Sequence, residues 1–348
     1  MTSSATILPR LGTLALALAG AIVFSVAGLP LPFLFGPMCF CLVAALGGAR
    51  LKGMGQVSVG ARTILGVAIG ASITPEVINQ IPQMAMSVAL IPLYVGLIGV
   101  IGVPFFRWLG FDPVTSYYAA MPGGLQDMVI FGEEAGADTR ALSLIHATRV
   151  AVIVTLAPMI LTWLYDAPPT GAIGAPVLDL PPAQLVLMAA AALIGWKGGE
   201  RIGLFGASIL GPMIVTAVLS LAGIIQFRPP AEAIMAAQLL IGIGIGVNYV
   251  GVTLLELRSF VLAGLAFVLI LAVLAAGFTE FVTLTGLAPP VEGFLAFAPG
   301  GQAEMTVLAL VVGADMGFVI LHHLTRIVLV ITGAPVAARL MKLRKSPR

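Results

Sequence analysis

Residues Met121–Pro158 read MPGGLQDMVIFGEEAGADTRALSLIHATRVAVIVTLAP, and Ala298–Pro335 read APGGQAEMTVLALVVGADMGFVILHHLTRIVLVITGAP. The two runs align without a gap at a constant offset, 298 − 121 = 177. Pro122, Gly123, Gly124, Met128, Gly136, Asp138, His146, Thr148, Arg149 and Pro158 recur as Pro299, Gly300, Gly301, Met305, Gly313, Asp315, His323, Thr325, Arg326 and Pro335. Asp127 recurs as Glu304, a change that keeps the carboxylate. These copies carry nearly all the polar groups set inside apolar sequence, so they read as two halves of one site.

The surrounding chain explains why such a motif would be duplicated. Of 348 residues, 59% are hydrophobic and only 9% charged, with a mean hydropathy of +1.10. Soluble domains carry about a quarter charged residues, so this composition marks an all-α polytopic membrane protein. A spanning helix needs about 20 mostly apolar residues, and the length admits about ten spans. Apolar runs fall at 11–28, 32–49, 57–74, 83–105 and 140–164, and again at 183–197, 204–224, 233–250, 259–283 and 316–338, five per half. Ala15–Gly28, behind Arg10, is read as a retained first span and not a signal peptide, since nine more runs follow.

Between the halves, Asp166 to Pro182 holds five prolines and no Lys or Arg, as an exposed linker would. The expected organisation is a first repeat over 1–165, a linker over 166–182 and a second repeat over 183–348. Weaker echoes extend the duplication: Gly36-Pro37-Met38 answers Gly211-Pro212-Met213, and Arg62 with Gly66 and Gly70 answers Gln238 with Gly242 and Gly246. Repeats of this size built from apolar helices point to transporters rather than solenoids, whose periods run about 20–50 residues.

Flanking cations set the orientation. If each Pro-Gly-Gly segment enters and returns on one side, each half has five spans and the halves are inverted. Both termini are then cytoplasmic. Arg10, Arg50, Lys52, Arg107, Lys197, Arg201, Arg258 and the tail (Arg339, Lys342, Arg344, Lys345, Arg348) all fall inside, leaving Arg228 outside. If the segments cross instead, the repeats are parallel and Lys197 and Arg201 move outside. The inverted arrangement is the expected one. The basic tail reads as a positive-inside signal and not as a nucleic-acid contact. Cys39 and Cys41, about 200° apart on a helix, read as packing residues.

Proline removes a donor and paired glycines add backbone freedom, so a helix is expected to break at Pro122-Gly123-Gly124 and at Pro299-Gly300-Gly301. Broken backbone at membrane depth must be buried in protein or line a cavity. A surface turn joining two helices is the plain alternative. After each break a new helix N-terminus would attract anions. Asp127 and Glu304 either complement that terminus or couple protons or sodium. On the following helix Asp138, His146 and Arg149 fall at about 0°, 80° and 20°, one face, repeated by Asp315, His323 and Arg326. Asp138 and Asp315 follow Gly-Ala and read first as N-caps. A guanidinium inside an apolar helix needs a partner, for which Asp127, Glu304 or an anionic solute are the candidates. The histidines read either as packed, hydrogen-bonded side chains or as proton relays.

The expected solute-binding set is therefore Pro122, Gly123, Gly124, Asp127, His146, Arg149, Pro299, Gly300, Gly301, Gln302, Glu304, His323 and Arg326, with Arg62, Gln126, Asp138, Gln238, Asn248 and Asp315 behind it. No cofactor or metal is expected beyond a coupling H+ or Na+. Expected partners are the lipid bilayer and a small solute, with a homodimer admitted and no nucleic acid.

The duplicated [MA]PGG-x-x-[DE]-M…GAD…H-x-T-R pattern resembles the AbrB family of bacterial inner-membrane proteins, over nearly the whole chain. That family is often labelled ammonia monooxygenase or AbrB-type regulator. By fold analogy it is similar to inverted-repeat cation/anion transporters, including citrate/sodium and glutamate/sodium symporters. The copies differ at Gln302 against Leu125 and at Ala303 against Gln126, so they need not touch the same ligand group. Three histidines (His146, His322, His323) supply too few ligands for a copper or iron oxygenase. A membrane sensor acting on transcription through a partner remains the other class, although the loops are short. The resemblance and the repeat together imply a secondary transporter or permease for a small anionic solute.

Overall fold

The computed structural model describes residues 4–29, 31–169, 174–204, 207–341 and 343. Lys342, Arg344, Lys345 and Arg348 of the basic tail lie outside the described residues, as does the side chain of Gln126. Among the described residues the regular structure is helical. In chain order the helices are α1 (Ser4–Val26), α2 (Pro32–Leu46), α3 (Gln56–Gly70), α4 (Pro75–Val88), α5 (Leu90–Trp108), α6 (Pro113–Ala120), α7 (Leu125–Ala135) and α8 (Thr139–Leu164). They continue as α9 (Pro182–Arg201), α10 (Ala207–Leu221), α11 (Ala231–Val247), α12 (Leu254–Glu256), α13 (Leu262–Leu284), α14 (Pro290–Phe297), α15 (Gln302–Val312) and α16 (Met316–Leu340). A π-helical turn, Leu257–Val261, joins α12 to α13.

Among the described residues each apolar run read from the sequence is mostly helical, the run 83–105 being divided between α4 and α5. Among the described residues, five helical stretches are long and apolar enough to cross a membrane: Pro9–Val26, Met84–Trp108, Thr139–Leu164, Leu254–Leu284 and Met316–Leu340. Four shorter apolar helices, α2, α3, α10 and α11, accompany them. At 1.5 Å per residue, a 15-residue helix such as α2 is about 22 Å long, less than the ~30 Å hydrocarbon core. Large apolar side chains such as Val100, Val273 and Leu284 stay more than 70% exposed, as a lipid-facing surface requires.

The helices gather into two compact units that cut across the two sequence halves. One comprises residues 1–81, 168–251 and 306–317, the other 82–167, 252–305 and 318–348. Each therefore takes segments from both halves of the sequence.

In the first unit, helices approach at glycines. A Cβ on Gly20 would collide with the Gly36 carbonyl, and one on Gly195 with the Gly211 main chain, so α1 meets α2 as α9 meets α10. The spacing is equal: 195 − 20 = 211 − 36 = 175. Gly66 of α3 lies against Ile209 and Pro212 of α10, while Gly242 of α11 lies against Leu34 and Pro37 of α2. Gly70 and Gly246 repeat the contact one turn on, against Met213 and Met38. Lipid removes the hydrophobic incentive for helices to associate, so close backbone packing at small residues does that work. The glycines thus belong to helix crossings, as does Cys41, buried with Ala17, Leu239 and Ile243.

The second unit is held by larger side chains. Tyr94, Phe106, Phe267 and Phe297 are fully buried in one hydrophobic core, where Phe106 and Phe267 centroids lie 4.8 Å apart and those of Tyr94 and Phe297 5.5 Å apart. Thr253 and Glu256 form a capping box at the start of α12, and Arg140 of α8 pairs with Glu256 at 2.9 Å. Gly211→Ala, which forces a methyl into the Gly195 main chain, is expected to destabilise the protein by about 1–3 kcal/mol. Gly244→Ala, with nothing within 4 Å of its Cβ position, serves as the neutral control. Thermal unfolding of the two variants in detergent checks the contrast.

Candidate functional site

Both Pro-Gly-Gly motifs break a helix where the sequence places them. Asp112 caps α6 by accepting from the Val114 and Thr115 amides at 3.0 and 3.1 Å, and Pro113 opens the first turn. The helix stops at Ala120. Met121, before proline, turns extended (φ −65°, ψ 130°), as the clash with the Pro122 ring demands. Gly124 is the N-cap of α7, also extended (φ −65°, ψ 146°). In the second copy Ala298 is extended likewise (φ −56°, ψ 127°), between α14 and α15.

The glycines serve a purpose the sequence reading did not assign. None of the four takes a positive φ, so backbone freedom is not what they supply. They supply room. A Cβ on Gly124 would run into the Asp127 carboxylate, and one on Gly301 into that of Glu304. A Cβ on Gly123 would lie 2.6 Å from Met128 Cε, and one on Gly300 2.7 Å from Met305 Cε. The motif P-G-G-x-x-[DE]-M is therefore one interlocked turn: the second glycine admits the carboxylate of the new helix's first turn, and the first admits the methionine. Asp127 and Glu304 stand at the third helical position, where a carboxylate folded back on the N-cap also complements the dipole.

A helix that stops inside apolar surroundings leaves its last carbonyls without partners. Histidine and arginine from the next long helix supply them, identically in both copies. His146 Nε2 lies 3.1 Å from the Tyr118 carbonyl, and His323 Nε2 2.8 Å from that of Leu295. Arg149 donates from Nη1 to Met121 O at 3.4 Å and from Nη2 to Gly123 O at 2.6 Å. Arg326 donates to Ala298 O at 3.0 Å and to Gly300 O at 2.9 Å. Every partner pair is related by the same offset of 177. The partners expected from the sequence were carboxylates or a solute; these hydrogen bonds go to main-chain carbonyls, groups that every residue carries and no sequence displays. A positive charge at a helix C-terminus is also favoured by the dipole.

Further contacts break the symmetry. Tyr94, on α5, donates to the Phe297 carbonyl at 2.7 Å, completing the end of α14. Arg326 Nη2 also lies 3.3 Å from His323 Nδ1. A guanidinium only donates and a carbonyl only accepts, so His323 carries its hydrogen on Nε2 and its lone pair on Nδ1. The two copies are also electrostatically coupled: Arg149 lies in range of Arg326, Glu304 and Tyr94, and Arg326 in range of Tyr94. His146, Arg149, His323 and Arg326 are all at most 3% exposed. Several atoms keep hydrogen-bonding capacity in reserve: Nε of Arg149, Nε of Arg326, Nε2 of Gln302 and Nδ1 of His146 have no partner among the described residues.

The second-rank candidates separate. Asp138 caps α8, accepting from the Ala141 amide at 3.0 Å, and its own amide donates to Thr115 Oγ1 at 2.8 Å. Asp315 directly precedes α16. Arg62 on α3, Gln238 on α11 and Asn248 at the end of α11 belong to the first unit, whereas the Pro-Gly-Gly turns, His146, Arg149, His323 and Arg326 belong to the second. Gln238 is 1% exposed, and neither of its amide atoms has a partner among the described residues. Among the described residues no three His, Cys, Asp or Glu gather as metal ligands. A cleft of about 660 Å³ lined by Trp108, Phe111, Arg258 and Phe260 contains none of the candidate residues. Sequence reasoning missed Tyr94, a lone polar aromatic in an apolar run, and His322, a third histidine whose place in the first copy (322 − 177 = 145) is Ile145.

The helices and the paired helix breaks define an all-helical membrane protein with a duplicated polar centre. Comparison with known sequences gives the family. The family model described as "Transition state regulatory protein AbrB" matches residues 33–342, and the chain belongs to the AbrB family. It is 26% identical to "Uncharacterized protein YhjN" of Bacillus subtilis, covering 98% of this chain and 95% of that protein. It is 25% identical to "Putative regulator AbrB" of Escherichia coli, covering 92% of each. No solved structure matches the chain.

Gly301→Ala is expected to destabilise the protein, and Glu304→Ala to relieve part of the loss. A double-mutant cycle read by thermal unfolding should return a coupling of about 1 kcal/mol or more, because the two changes share one contact. Arg326→Gln, which strips two buried carbonyls of their donors, should cost about 2–4 kcal/mol.

Proposed function

We propose that the protein is a secondary transporter or permease of the bacterial inner membrane, with ten spans, two re-entrant Pro-Gly-Gly segments and inverted repeats, and that it carries a small anionic solute. The observation that carries this reading is the donor set left over at the duplicated turns. Each guanidinium is fixed through its Nη atoms to the carbonyls of its own break, which leaves Nε of Arg149, Nε of Arg326 and the amide nitrogen of Gln302 unpartnered. All three can only donate. Buried donors with no acceptor are costly, and an acceptor-rich anion is their complement. The N-termini of α7 and α15 favour the same charge.

The paired contacts at constant offset support the repeat. Inverted halves would bring one turn from each face toward the middle of the bilayer, the place where such transporters hold solute. Asp127 and Glu304, each folded onto its own turn, are suited to couple the solute to H+ or Na+ because solute and cation would share one electrostatic environment. The regulatory word in the family description and in the E. coli relative's name is compatible with effects on expression that follow from transport.

A thermal-shift screen of small carboxylates, phosphates and amines on the purified protein tests the charge of the solute. An anion at 100 times its dissociation constant should stabilise the protein by about 2.7 kcal/mol. Amines stabilising it while no anion does would overturn the reading. Gln302→Leu, which installs the residue of the first copy, should keep the fold and weaken a stabilising anion by about tenfold, one hydrogen bond's worth.

A further inference from the structure

His322 stands apart from the duplicated histidines. It is fully buried, and its counterpart in the first copy is Ile145. Its Nδ1 lies 2.8 Å from the Phe318 carbonyl, which only accepts, so that nitrogen carries a hydrogen. Its Nε2 lies 3.1 Å from Ser87 Oγ on α4, and that hydroxyl in turn lies 2.9 Å from the Met84 carbonyl. One hydroxyl hydrogen thus has two acceptors within reach. When it points to Nε2, His322 is neutral. When it rotates to Met84 O, Ser87 Oγ becomes an acceptor, and a proton bound at Nε2 makes the ring an imidazolium with both N–H groups bonded. The change needs a new N–H bond at Nε2 and one hydroxyl rotation, with no movement of heavy atoms.

The other two histidines lack this freedom. A second proton on His323 would displace the Nδ1 lone pair that accepts from Arg326. One on His146 Nδ1, an atom without a partner, would add a buried N–H beside the Arg149 guanidinium. The surroundings of His322 suit a cation that comes and goes. Its ring stacks on Phe318 at 4.1 Å and meets Phe297 edge-on at 5.9 Å, and aromatic faces attract an imidazolium. The groups that face it are Met84 and Ser87 from α4, Phe297 from α14 with Tyr94 of α5 bonded to its carbonyl, and, on its own helix, His323 and Arg326. Arg326 is turned away to the carbonyls of Ala298 and Gly300.

We propose that His322, switched by the Ser87 hydroxyl, is a proton-binding site of this protein separate from the carboxylates of the turns, adjoining the Phe297 end of the second broken helix. As a coupling site it rests on the transporter reading; as a proton site it stands on the geometry alone. The chain holds three histidines, so the full-length protein labelled at histidine and held in lipid nanodiscs gives three ring signals that can be followed with pH by NMR. The expected result is one reversible transition, absent in His322→Asn, displaced by about one pH unit or more in Ser87→Ala and retained in Ser87→Thr. A transition belonging to His146 or His323, no transition while the protein stays folded, or an unchanged transition in Ser87→Ala would overturn the proposal. For coupling, proteoliposomes loaded with an anion that passes the thermal-shift screen should lose pH-gradient-driven accumulation in His322→Asn. Retained accumulation would refute the coupling role, whereas absent uptake in the unaltered protein would refute the transporter reading and leave the NMR result standing.

Discussion

A helix that ends where no water reaches it must find hydrogen-bond partners for its last carbonyls, and that constraint shapes the centre of this protein twice. Lipid offers no donors, and each buried carbonyl left bare is costly. Arg149 and Arg326 meet the need with a planar fork that reaches two carbonyls across each proline. The histidine one turn earlier reaches a third, deeper in the same helix end. The His-x-x-Arg spacing follows from this geometry. Three residues advance a helix about 300°, which leaves the two side chains on one face at successive heights, the histidine at the Tyr118 or Leu295 carbonyl and the arginine at the carbonyls on either side of the proline.

Once the arginines are fixed on main-chain groups, their charge becomes available for something else. A guanidinium in an ion pair is neutralised, but one bonded to carbonyls keeps its full charge and, here, a free Nε. Two such groups, both buried, lie beside the two helix breaks in one compact unit. The scaffold role and the proposed anion-binding role would then be the same arrangement seen from two sides. The hydrogen bonds that make the break tolerable also preorganise the donors an anion would meet.

The duplication is not a perfect copy, and its departures lie near the polar centre. Gln302 replaces Leu125, Tyr94 reaches only the second break, and His322 has only Ile145 opposite. The departures run in both directions, since Gln126 of the first copy stands opposite Ala303 of the second. The conserved geometry of the turns with an asymmetric set of additional groups fits a site in which the fold repeats and the chemistry does not.

Composition and period alone determined that the chain is helical and membrane-embedded, where its helices lie and where two of them break, because apolar run length and proline placement act locally. The capping role of Asp138 was equally legible, since an N-cap is a short-range contact. The tertiary structure decided the rest. Which glycines serve crossings and which make room for a carboxylate depends on a neighbour's position, as Gly36 and Gly301 show. Carboxylates could be proposed as partners for Arg149 and Arg326 because side chains are what a sequence spells out. The carbonyls that hold them, like the serine rotor at His322, belong to contacts between residues tens to hundreds of positions apart, and only the folded chain brings those together.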